Sequence, residues 1–428
     1  MIQEFKKIKN VKGELSLPGD KSISHRAVIF SSLAKGTSRI INLLESDDVI
    51  STINCFRNLG CEIHKEGTEY LVNGKGYKGF SKPENDLDAG NSGTTARLIS
   101  GVLAAQDFGS NLVGDESLSK RPMNRIAKPL SLMGTKIKLS DRGTLPAYFQ
   151  PSDKLKNIDY ELEVASAQVK SALLLSAIHI DQKSTIIEKS ITRDHTERML
   201  GCETQFDNGK KIITASKKNY PNAQEYLIPS DISTAAFFIV LALLAEGSEL
   251  IIKNVSLNPT RTGFLILLKE MGANITFEKE KKVSGEELGD IVVKSSSLKN
   301  IVINPELIPN IIDEIPILSV AGLFAKGDFV IKNAAELRVK ESDRIKSLVY
   351  NYQQLGVEVE EFEDGFKISG KIKNKNPKFK SFGDHRIAMT FAILSSLVFD
   401  NASIENFECA KISNPDFLNQ LKSIANQS

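Results

Sequence analysis

The sequence predicts an α/β protein of two lobes, each built from three βαβαββ units with buried helices and with sheets outside them. Three observations lead to this prediction. A similar segment recurs six times along the 428 residues, its apolar runs are hydrophobic on nearly every side, and the chain ends before the sixth copy closes. Internal repetition indicates an architecture more directly than any single motif does.

Each copy starts with an apolar run rich in small residues, which predicts a helix, and continues through a strand, a second helix and closing strands. The first copy covers residues 25–63 and the fourth covers residues 235–275. The second, third and sixth start near Thr94, Val169 and His385. Six copies group most simply as three plus three.

The division between the lobes is predicted at Pro229, between copies three and four. Proline cannot donate to a central sheet ladder, and it disfavours helix at Ile228, as expected of a connector. Residues 5–17 are strand-like and precede the first copy, whereas the sixth copy lacks a closing strand. We therefore expect the N-terminal segment to pair into the second lobe, so that the chain crosses between lobes twice.

The predicted boundaries follow from these two crossings. The first lobe is expected over residues 20–229, and the second over residues 1–19 and 230–428. The crossings fall near residues 18–20 and 228–231, and two such connections are typical of a hinge.

Composition and charge exclude several classes of protein. Lys and Arg total 55 against 53 Asp and Glu, and the resulting net charge of +2 does not favour nucleic acid or a membrane surface. Apolar runs such as residues 171–177 and 237–244 are far shorter than the ~20 residues of a membrane span, so we expect helices buried in each lobe. The first residues lack an apolar signal core, so we expect a soluble cytoplasmic protein.

Cysteine and histidine positions give no metal site. The four cysteines are Cys55, Cys61, Cys202 and Cys409. They form no CxxC pair and no ligand-like spacing with the five histidines, so we expect reduced thiols, no metal and no cofactor. His64 and His179 are interpreted as structural or surface residues, and His195 as part of a helix N-terminal turn with a local role.

Small, polar or cationic residues precede the buried helices of most copies, in segments 19–26, 90–97, 166–170, 313–316 and 383–386. Unpaired backbone N–H groups and the helix dipole favour anions at such positions. Ordinary capping is the alternative, since Ser, Asp, Asn and Gly are common there. Capping does not require the cations found at these ends, which are Lys21, Arg26, Arg97, Lys170 and Arg386.

Two further segments add cations. Residues 119–125 form a loop-to-helix segment with Lys120, Arg121 and Arg125, and residues 337–344 alternate charge at helical spacing. The second segment has an alternative interpretation as a solvated helix start with ion pairs such as that between residues 340 and 343. No glycine-rich phosphate loop of the GxxxxGK[ST] type occurs.

Five motifs in order along the chain together resemble the 5-enolpyruvylshikimate-3-phosphate synthase family. They are residues 17–26, 90–95, 120–123, 338–344 and 384–389. The Gly-Asn-Ser-Gly-Thr-Thr form of the second motif and Ser-Ala-Gln-Val-Lys at 166–170 are similar to the bacterial branch called class II. The resemblance covers essentially the whole chain. It implies an enolpyruvyl transferase fold, with three units around a pseudo-threefold axis in each lobe and substrates bound in a cleft.

The resemblance also implies the reaction. The enolpyruvyl group of phosphoenolpyruvate moves to the 5-hydroxyl of shikimate 3-phosphate and phosphate is released, a step of aromatic amino-acid biosynthesis. Each phosphate carries about 1.5–2 negative charges near neutral pH. Planar, bidentate Arg and point-charge Lys are suitable partners for such substrates. The cation-rich helix starts are consistent with this reaction.

Substrate-binding residues are implied by the same resemblance. Shikimate 3-phosphate is expected on Lys21, Ser22, Arg26, Ser166, Ala167, Gln168, Arg193, Asp313 and Lys340. Phosphoenolpyruvate is expected on Lys21, Asn91, Gly93, Arg121, Gln168, Arg344, Arg386 and Lys411. Arg193 stands where many relatives have Tyr, and Gly93 is the small residue expected to face the donor and the inhibitor glyphosate.

Catalysis needs a base for the attacking hydroxyl and an acid for the enol carbon, and such groups typically contribute about 10²–10⁴-fold each. The resemblance implies Asp313 as the base and Glu341 as the proton donor, with Lys21 supporting charge at the reacting centre. Simple ion pairing of Glu341 with Lys340 or Arg344 is the alternative. Glu336 is left out of the site because some relatives have Asn there.

Two other functions fit the sequence less well. The related UDP-N-acetylglucosamine enolpyruvyl transferases usually carry a reactive Cys just before the Arg-Pro pair, but residues 116–119 here are Glu-Ser-Leu-Ser. A non-catalytic anion-binding protein is disfavoured because both Asp313 and Glu341 accompany the cations. We expect a monomeric enzyme acting on two small molecules, without a nucleic-acid or membrane partner.

Overall fold

The computed structural model describes residues 2–152 and 154–427. The chain divides into two compact units. Unit N comprises Gly19–Ile228 and Lys282–Glu286, and unit C comprises Met1–Pro18, Pro229–Lys281 and Glu287–Ser428. The divisions lie beside the two predicted crossings, whose role as hinges stays a prediction. The grouping of Lys282–Glu286 with unit N was not predicted from the sequence.

Thirteen α-helices lie within the described residues. They are α1 (Lys21–Leu33), α2 (Asp47–Asn58), α3 (Gly93–Leu103), α4 (Asn124–Leu132), α5 (Ala167–Ala177), α6 (His195–Met199), α7 (Ile232–Leu244), α8 (Gly263–Glu270), α9 (Ile308–Ile311), α10 (Ile315–Phe324), α11 (Arg344–Gln354), α12 (His385–Val398) and α13 (Phe417–Ile424). Short 3₁₀ helices cover Leu118–Lys120, Lys217–Asn219, Pro305–Leu307, Ala335–Val339 and Phe407–Ile412.

The strands of the described residues follow the same order. They are β1 (Ile2–Phe5), β2 (Ile8–Ser16), β3 (Lys35–Ile41), β4 (Glu62–Glu66), β5 (Glu69–Lys75), β6 (Leu87–Asp88), β7 (Ser110–Val113), β8 (Ile137–Leu139), β9 (Ala147–Phe149), β10 (Asp159–Glu161), β11 (Ser184–Glu188), β12 (Glu203–Asp207), β13 (Lys210–Ala215), β14 (Glu225–Leu227), β15 (Glu249–Ser256), β16 (Asn274–Val283), β17 (Glu286–Lys294), β18 (Phe329–Ile331), β19 (Glu358–Phe362), β20 (Gly365–Ser369), β21 (Lys378–Lys380), β22 (Ala402–Glu405) and β23 (Ala425–Gln427).

Unit N contains three sheets with one strand plan. Their strand orders are β14-β3-β5-β4, β6-β7-β9-β8 and β10-β11-β13-β12. In each sheet the first pair is parallel and the other pairs are antiparallel. Parallel neighbours require a crossover, and α3 connects β6 to β7 while α5 connects β10 to β11. In the first sheet β14, from the end of the unit, takes the place of a strand before α1. The βαβαββ unit predicted from the repeats is therefore present three times in unit N.

Unit C contains sheets of order β16-β17-β15-β2-β23, β18-β20-β19 and β1-β22-β21. Its buried helices are α7, α10 and α12, and α7 buries every residue except Leu244. Such a helix needs apolar neighbours on all sides, which explains why its sequence shows no polar face. The prediction of buried helices with sheets packed against them is confirmed for both units.

The N-terminal segment pairs within unit C, as predicted, but through two separate strands. β1 lies antiparallel to β22 with Ile2 opposite Glu405, and thereby closes the sixth copy. β2 is parallel to β15 and serves as the first strand of the fourth copy. The short C-terminal strand β23 follows the sixth copy in sequence but pairs with β2, in the sheet of the fourth copy, and it was not predicted from the sequence.

Helix α3 lies unusually close to α5. A Cβ atom at Gly101 would be 2.2 Å from the carbonyl oxygen of Ala172, a distance that no side chain tolerates. Glycine therefore permits the two backbones to touch, and this contact brings the N-terminal ends of both helices into one neighbourhood.

No single helix among the described residues is long and apolar enough to cross a membrane. One pair, Pro305–Ile311 with Ile315–Phe324, passes the same test of length and composition only when its two parts are joined across a bend of 118°.

Candidate active site

The predicted substrate residues of unit N lie mainly at the starts of α1, α3 and α5. Each start is capped by the residue before it, whose side chain accepts a hydrogen bond from a backbone N–H of the first turn. The capping residues are Asp20, Ser92 and Ser166 respectively. Such caps leave other N–H groups of the first turn available, and the helix dipole favours an anion there. Capping and anion binding are thus compatible in these helices.

Lys21 is the first residue of α1, and its ammonium lies 3.0 Å from a carboxylate oxygen of Asp48 on α2. Both side chains are partly buried. Asp48 was not predicted from the sequence, because no motif marks an acidic residue in the first turn of an outer helix. The pair orients the lysine, since an ammonium is a point charge on a flexible stem.

Arg26, one turn further along α1, is almost completely buried. Its Nε donates to Thr196 Oγ1 at 2.7 Å, and its two terminal nitrogens donate to the Ser22 carbonyl at 2.8 Å and to Ser171 Oγ at 2.9 Å. Burial lowers the pKa of Arg26 to about 10, against the opposing effect of nearby Glu197. The guanidinium stays protonated at neutral pH.

Four of the predicted donor-binding residues lie in one cluster of unit N. Arg121 donates to Asn91 Oδ1 at 2.9 Å, and Arg97 donates to Gln168 Oε1 at 2.6 Å. A Cβ atom at Gly93 would be 2.9 Å from a terminal nitrogen of Arg97 and 3.5 Å from one of Arg121. Gly93 thus allows two guanidinium groups to approach the same helix start. Arg97 was identified as a cation but was not assigned to a substrate.

The third helix start carries Ser166, Ala167 and Gln168, all half-buried. Gln168 also donates to Thr94 Oγ1 at 3.2 Å, which ties the start of α5 to that of α3. Arg193 lies two residues before α6, close enough to Arg26 for its charge to lower the pKa of Arg26.

Lys170 was predicted to belong to the anion-binding set, and this prediction is wrong. Its ammonium has no exposed surface and lies 2.9 Å from Glu188 and 2.7 Å from Glu197. Burial is also the main reason why the pKa of Glu188 is raised. A buried ammonium matched by two carboxylates is a structural feature, which helical spacing alone could not distinguish from an exposed cation.

Three buried histidines of unit N make local contacts. Burial lowers the pKa of His25 to about 3 and that of His179 to about 4, so both are neutral at pH 7. His195 begins α6, as predicted, and its Nδ1 lies 2.8 Å from Glu286 Oε1. The interpretation of His179 and His195 as residues with local roles agrees with these contacts.

Unit C gathers the predicted catalytic carboxylates around Arg344. This guanidinium is buried, and it contacts Asp384 at 2.8 Å, Glu341 at 2.6 Å and Asp313 at 3.2 Å. Burial acts to lower the pKa of Arg344, but the charges of Asp384, Glu341 and Asp313 outweigh it and raise the pKa. The pairing of Glu341 with Arg344, the alternative weighed from the sequence, is present.

Lys340 lies between the 3₁₀ helix Ala335–Val339 and α11. Its ammonium is 2.8 Å from Glu336 and 3.9 Å from Asp313. Asp343 instead caps α11 and pairs with Arg338 at 3.0 Å. The alternative of a solvated helix start with a Lys340–Asp343 pair therefore does not describe this segment.

The remaining residues that were predicted to bind phosphoenolpyruvate, Arg386 and Lys411, lie toward the C-terminal end of unit C. Arg386, in the first turn of α12, donates to the Asp313 carbonyl at 2.8 Å and lies 3.4 Å from Glu314. Lys411 is exposed on the 3₁₀ helix Phe407–Ile412, which packs against α12. The predicted residues of unit C thus surround the starts of α10, α11 and α12.

Among residues 2–152 and 154–427, no group of three or more His, Cys, Asp or Glu side chains is arranged to hold a metal ion. The four cysteines are free thiols. Burial raises the pKa of Cys55 and Cys202 to about 12, so both stay protonated at neutral pH.

Comparison with known proteins identifies the family. The chain matches the family described as EPSP synthase (3-phosphoshikimate 1-carboxyvinyltransferase) over residues 5–421. The chain belongs to this family. A 3-phosphoshikimate 1-carboxyvinyltransferase of Caldicellulosiruptor saccharolyticus is 48% identical over 416 residues, 96% of each chain. One from Oceanobacillus iheyensis is 45% identical over 418 residues, 97% of each chain.

Solved structures agree with the family assignment. The EPSP synthase of Acinetobacter baumannii matches with a TM-score of 0.89 and 39% identity, over 100% of this chain and 98% of that one. The enolpyruvyl transferase NikO of Streptomyces tendae, at 14% identity, has a TM-score of 0.75 over 99% and 97% of the two chains and shows the fold alone. The predictions of family, α/β fold class, enzyme class and activity are confirmed.

Proposed function

We propose that the chain transfers the enolpyruvyl group of phosphoenolpyruvate to the 5-hydroxyl of shikimate 3-phosphate with residues of both units. The observation that carries this proposal is the family match over residues 5–421, together with the cation-rich helix starts at the motif positions. Two anionic substrates need several cations, and each unit supplies its own set.

Shikimate 3-phosphate is held mainly by unit N in this proposal. Its residues there are Lys21, Ser22, Arg26, Ser166, Ala167, Gln168 and Arg193. Asp313 and Lys340 of unit C contact its hydroxyls. Support comes from the burial of Arg26 beside neutral acceptors. Among the described residues its guanidinium keeps two N–H groups without an acceptor and has no carboxylate in direct contact, so it attracts a phosphate or carboxylate.

In the same proposal, phosphoenolpyruvate is held by residues that bind its phosphate and carboxylate groups. They are Lys21, Asn91, Gly93, Arg121 and Gln168 of unit N, and Arg344, Arg386 and Lys411 of unit C. The cluster of Asn91, Gly93 and Arg121 supports this assignment, because the missing side chain at Gly93 leaves room between two guanidinium groups.

The mechanism is an addition followed by an elimination. Asp313 takes the proton of the 5-hydroxyl of shikimate 3-phosphate while the hydroxyl oxygen forms a bond to the central carbon of phosphoenolpyruvate. Glu341 gives a proton to the methylene carbon, which becomes a methyl group. In the elimination a methyl proton returns to the Glu341 carboxylate and the double bond re-forms. Protonated Asp313 gives its proton to the departing phosphate oxygen as the C–O bond to phosphate breaks. Lys21 stabilises the negative charge at the reacting centre.

The test is a phosphate-release assay with both substrates. Asp313→Ala should lower turnover by at least about 10²-fold, the scale of a lost acid–base group, with the thermal midpoint little changed. Omitting shikimate 3-phosphate from the wild-type assay should abolish release. Near-normal turnover of Asp313→Ala would remove the assigned base, and absence of release by the wild type would remove the function itself.

We also propose that the enzyme acts as a cytoplasmic monomer, without a nucleic-acid or membrane partner. The near balance of charge, with a net value of +2, supports the absence of a nucleic-acid or membrane partner. Light scattering at assay concentrations tests the oligomeric state, and a mass of twice 47.1 kDa would contradict it.

A further inference from the structure

Arg26 has a fixed pattern of donors within unit N. A guanidinium has five N–H groups, and three of those in Arg26 are used by Thr196, Ser22 and Ser171. Within the described residues, one N–H on each terminal nitrogen is then left for a ligand. All three acceptors are neutral oxygens, so no carboxylate in direct contact cancels the charge.

The two hydroxyls also contact each other. Thr196 Oγ1 and Ser171 Oγ are 2.7 Å apart, so each accepts from Arg26 while one donates to the other. The three groups form a closed triangle. Any rotation of the guanidinium about its long axis breaks at least two of these contacts, because the donors of Arg are coplanar and rigidly spaced.

The position of Thr196 is fixed by contacts of its two neighbours in sequence. It belongs to α6, which has only five residues. His195 is paired with Glu286 at 2.8 Å, and Glu197 accepts from Lys170 at 2.7 Å. Both neighbours are buried, so the Thr196 hydroxyl occupies a position fixed by contacts other than its own.

We propose that Thr196, acting with Ser171, is a positioning residue that fixes the plane of the Arg26 guanidinium for shikimate 3-phosphate. Thr196 does not touch the substrate; it sets the direction of the two remaining N–H groups of Arg26. This inference rests on the proposed function, in which Arg26 binds that substrate.

Thr196→Val tests the proposal, because it removes the hydroxyl and keeps the β-branched shape. We expect the KM for shikimate 3-phosphate and its Kd by calorimetry to rise about tenfold or more, the scale of a lost hydrogen bond to a charged group. The kcat and the KM for phosphoenolpyruvate should stay within about twofold. Thr196→Ser, which restores the hydroxyl, should return both constants to within about twofold of wild type.

Ser176→Ala is the matched control. Ser176 lies on the same helix as Ser171 and is equally buried, but its hydroxyl donates to the Gly101 carbonyl and not to Arg26. It should leave the affinity for shikimate 3-phosphate unchanged. Ser171→Ala offers a second route if Thr196→Val does not fold. In an Arg26→Ala background, neither hydroxyl variant should weaken binding further, as expected of coupled residues.

The outcomes separate the two proposals. A wild type that releases no phosphate, or does not bind shikimate 3-phosphate, removes the proposed function. A wild type that is active, with Thr196→Val and Ser171→Ala both binding as tightly as wild type, overturns the positioning role alone. A parallel fall in kcat, both affinities and the thermal midpoint would also overturn it, because it would indicate a structural role.

Discussion

Arg26 of unit N and Arg344 of unit C are both buried guanidinium groups, but their surroundings are opposite. Arg26 contacts two hydroxyls and a carbonyl, whereas Arg344 contacts three carboxylates. Burial therefore lowers the pKa of Arg26, while neighbouring charge raises that of Arg344. No carboxylate in direct contact neutralises Arg26, so its positive charge can attract a ligand. The positive charge of Arg344 is largely neutralised by its three carboxylate neighbours.

This difference in neighbours suggests a different way of binding an anion at each arginine. In the proposed function, shikimate 3-phosphate binds Arg26 through the two N–H groups that have no acceptor among the described residues. In the same proposal, phosphoenolpyruvate competes with a carboxylate for Arg344, and Glu341, about a third exposed, is easier to displace than the fully buried Asp384. Donor binding would then release the residue assigned as proton donor.

The largest expected effect is a difference in stability between two variants. Arg344→Met leaves three carboxylates without their shared cation and should lower the free energy of unfolding by about 3–5 kcal/mol, whereas Arg26→Met leaves only neutral groups and should cost about 1 kcal/mol. Urea unfolding of both variants measures the contrast. Equal losses would mean that the carboxylates around Arg344 do not depend on it.

A second test measures how the free energy of unfolding depends on pH, which reports on the buried neutral histidines of unit N. The pKa values of about 3 for His25 and 4 for His179 are below the unfolded value near 6.5, so the unfolded chain binds more protons as pH falls. Stability conferred by these groups is complete above pH 6.5 and is lost progressively below it. Between pH 6.5 and 5 the loss should be about 2 kcal/mol per histidine.

His179→Gln isolates one histidine in this test. Glu188, whose pKa is raised by burial, acts in the opposite sense, so the difference between wild type and variant is the quantity to measure. The variant should lose about 2 kcal/mol less than wild type between pH 6.5 and 5 in urea unfolding. Identical pH slopes would show that His179 is not kept neutral in the folded chain.

The smallest expected effect concerns an ion pair near the surface of unit C. Glu336 is mostly exposed and pairs with Lys340 at 2.8 Å. Glu336→Gln should change the free energy of unfolding by no more than about 1 kcal/mol, in contrast to the variants of Arg344. The KM values should stay within about twofold, since Glu336 is outside the assigned site. A tenfold change in either KM would place it inside.

The sequence predicted the parts of this fold that depend on periodicity. Repeats and apolar runs indicate units such as β2–α7–β15, because a helix buried on every side must be apolar on every side. Pairing between distant strands has a weaker sequence signal. The N-terminal segment was therefore predicted to pair in unit C, but β1 was not separated from β2 and β23 was not predicted.

The site was predictable where motifs carry it and less so where partners are distant. Motif residues such as Lys21 and Arg344 were named, but their acidic partners Asp48 and Asp384 were not recognised as such. Lys170 was misassigned because the carboxylates that neutralise it lie 18 and 27 residues away in sequence. Charge compensation is a property of three-dimensional contacts, and no local spacing reports it.

The pairing of β1 with β22 has a consequence for biosynthesis. Ile2 leaves the ribosome about 400 residues before its partner Glu405, an interval of about 20–80 s at typical elongation rates. During that time unit N is synthesised, while β1 has no partner for its hydrogen-bonding edge. Such an edge invites pairing with other chains, so this enzyme is expected to need protection by chaperones while translation proceeds.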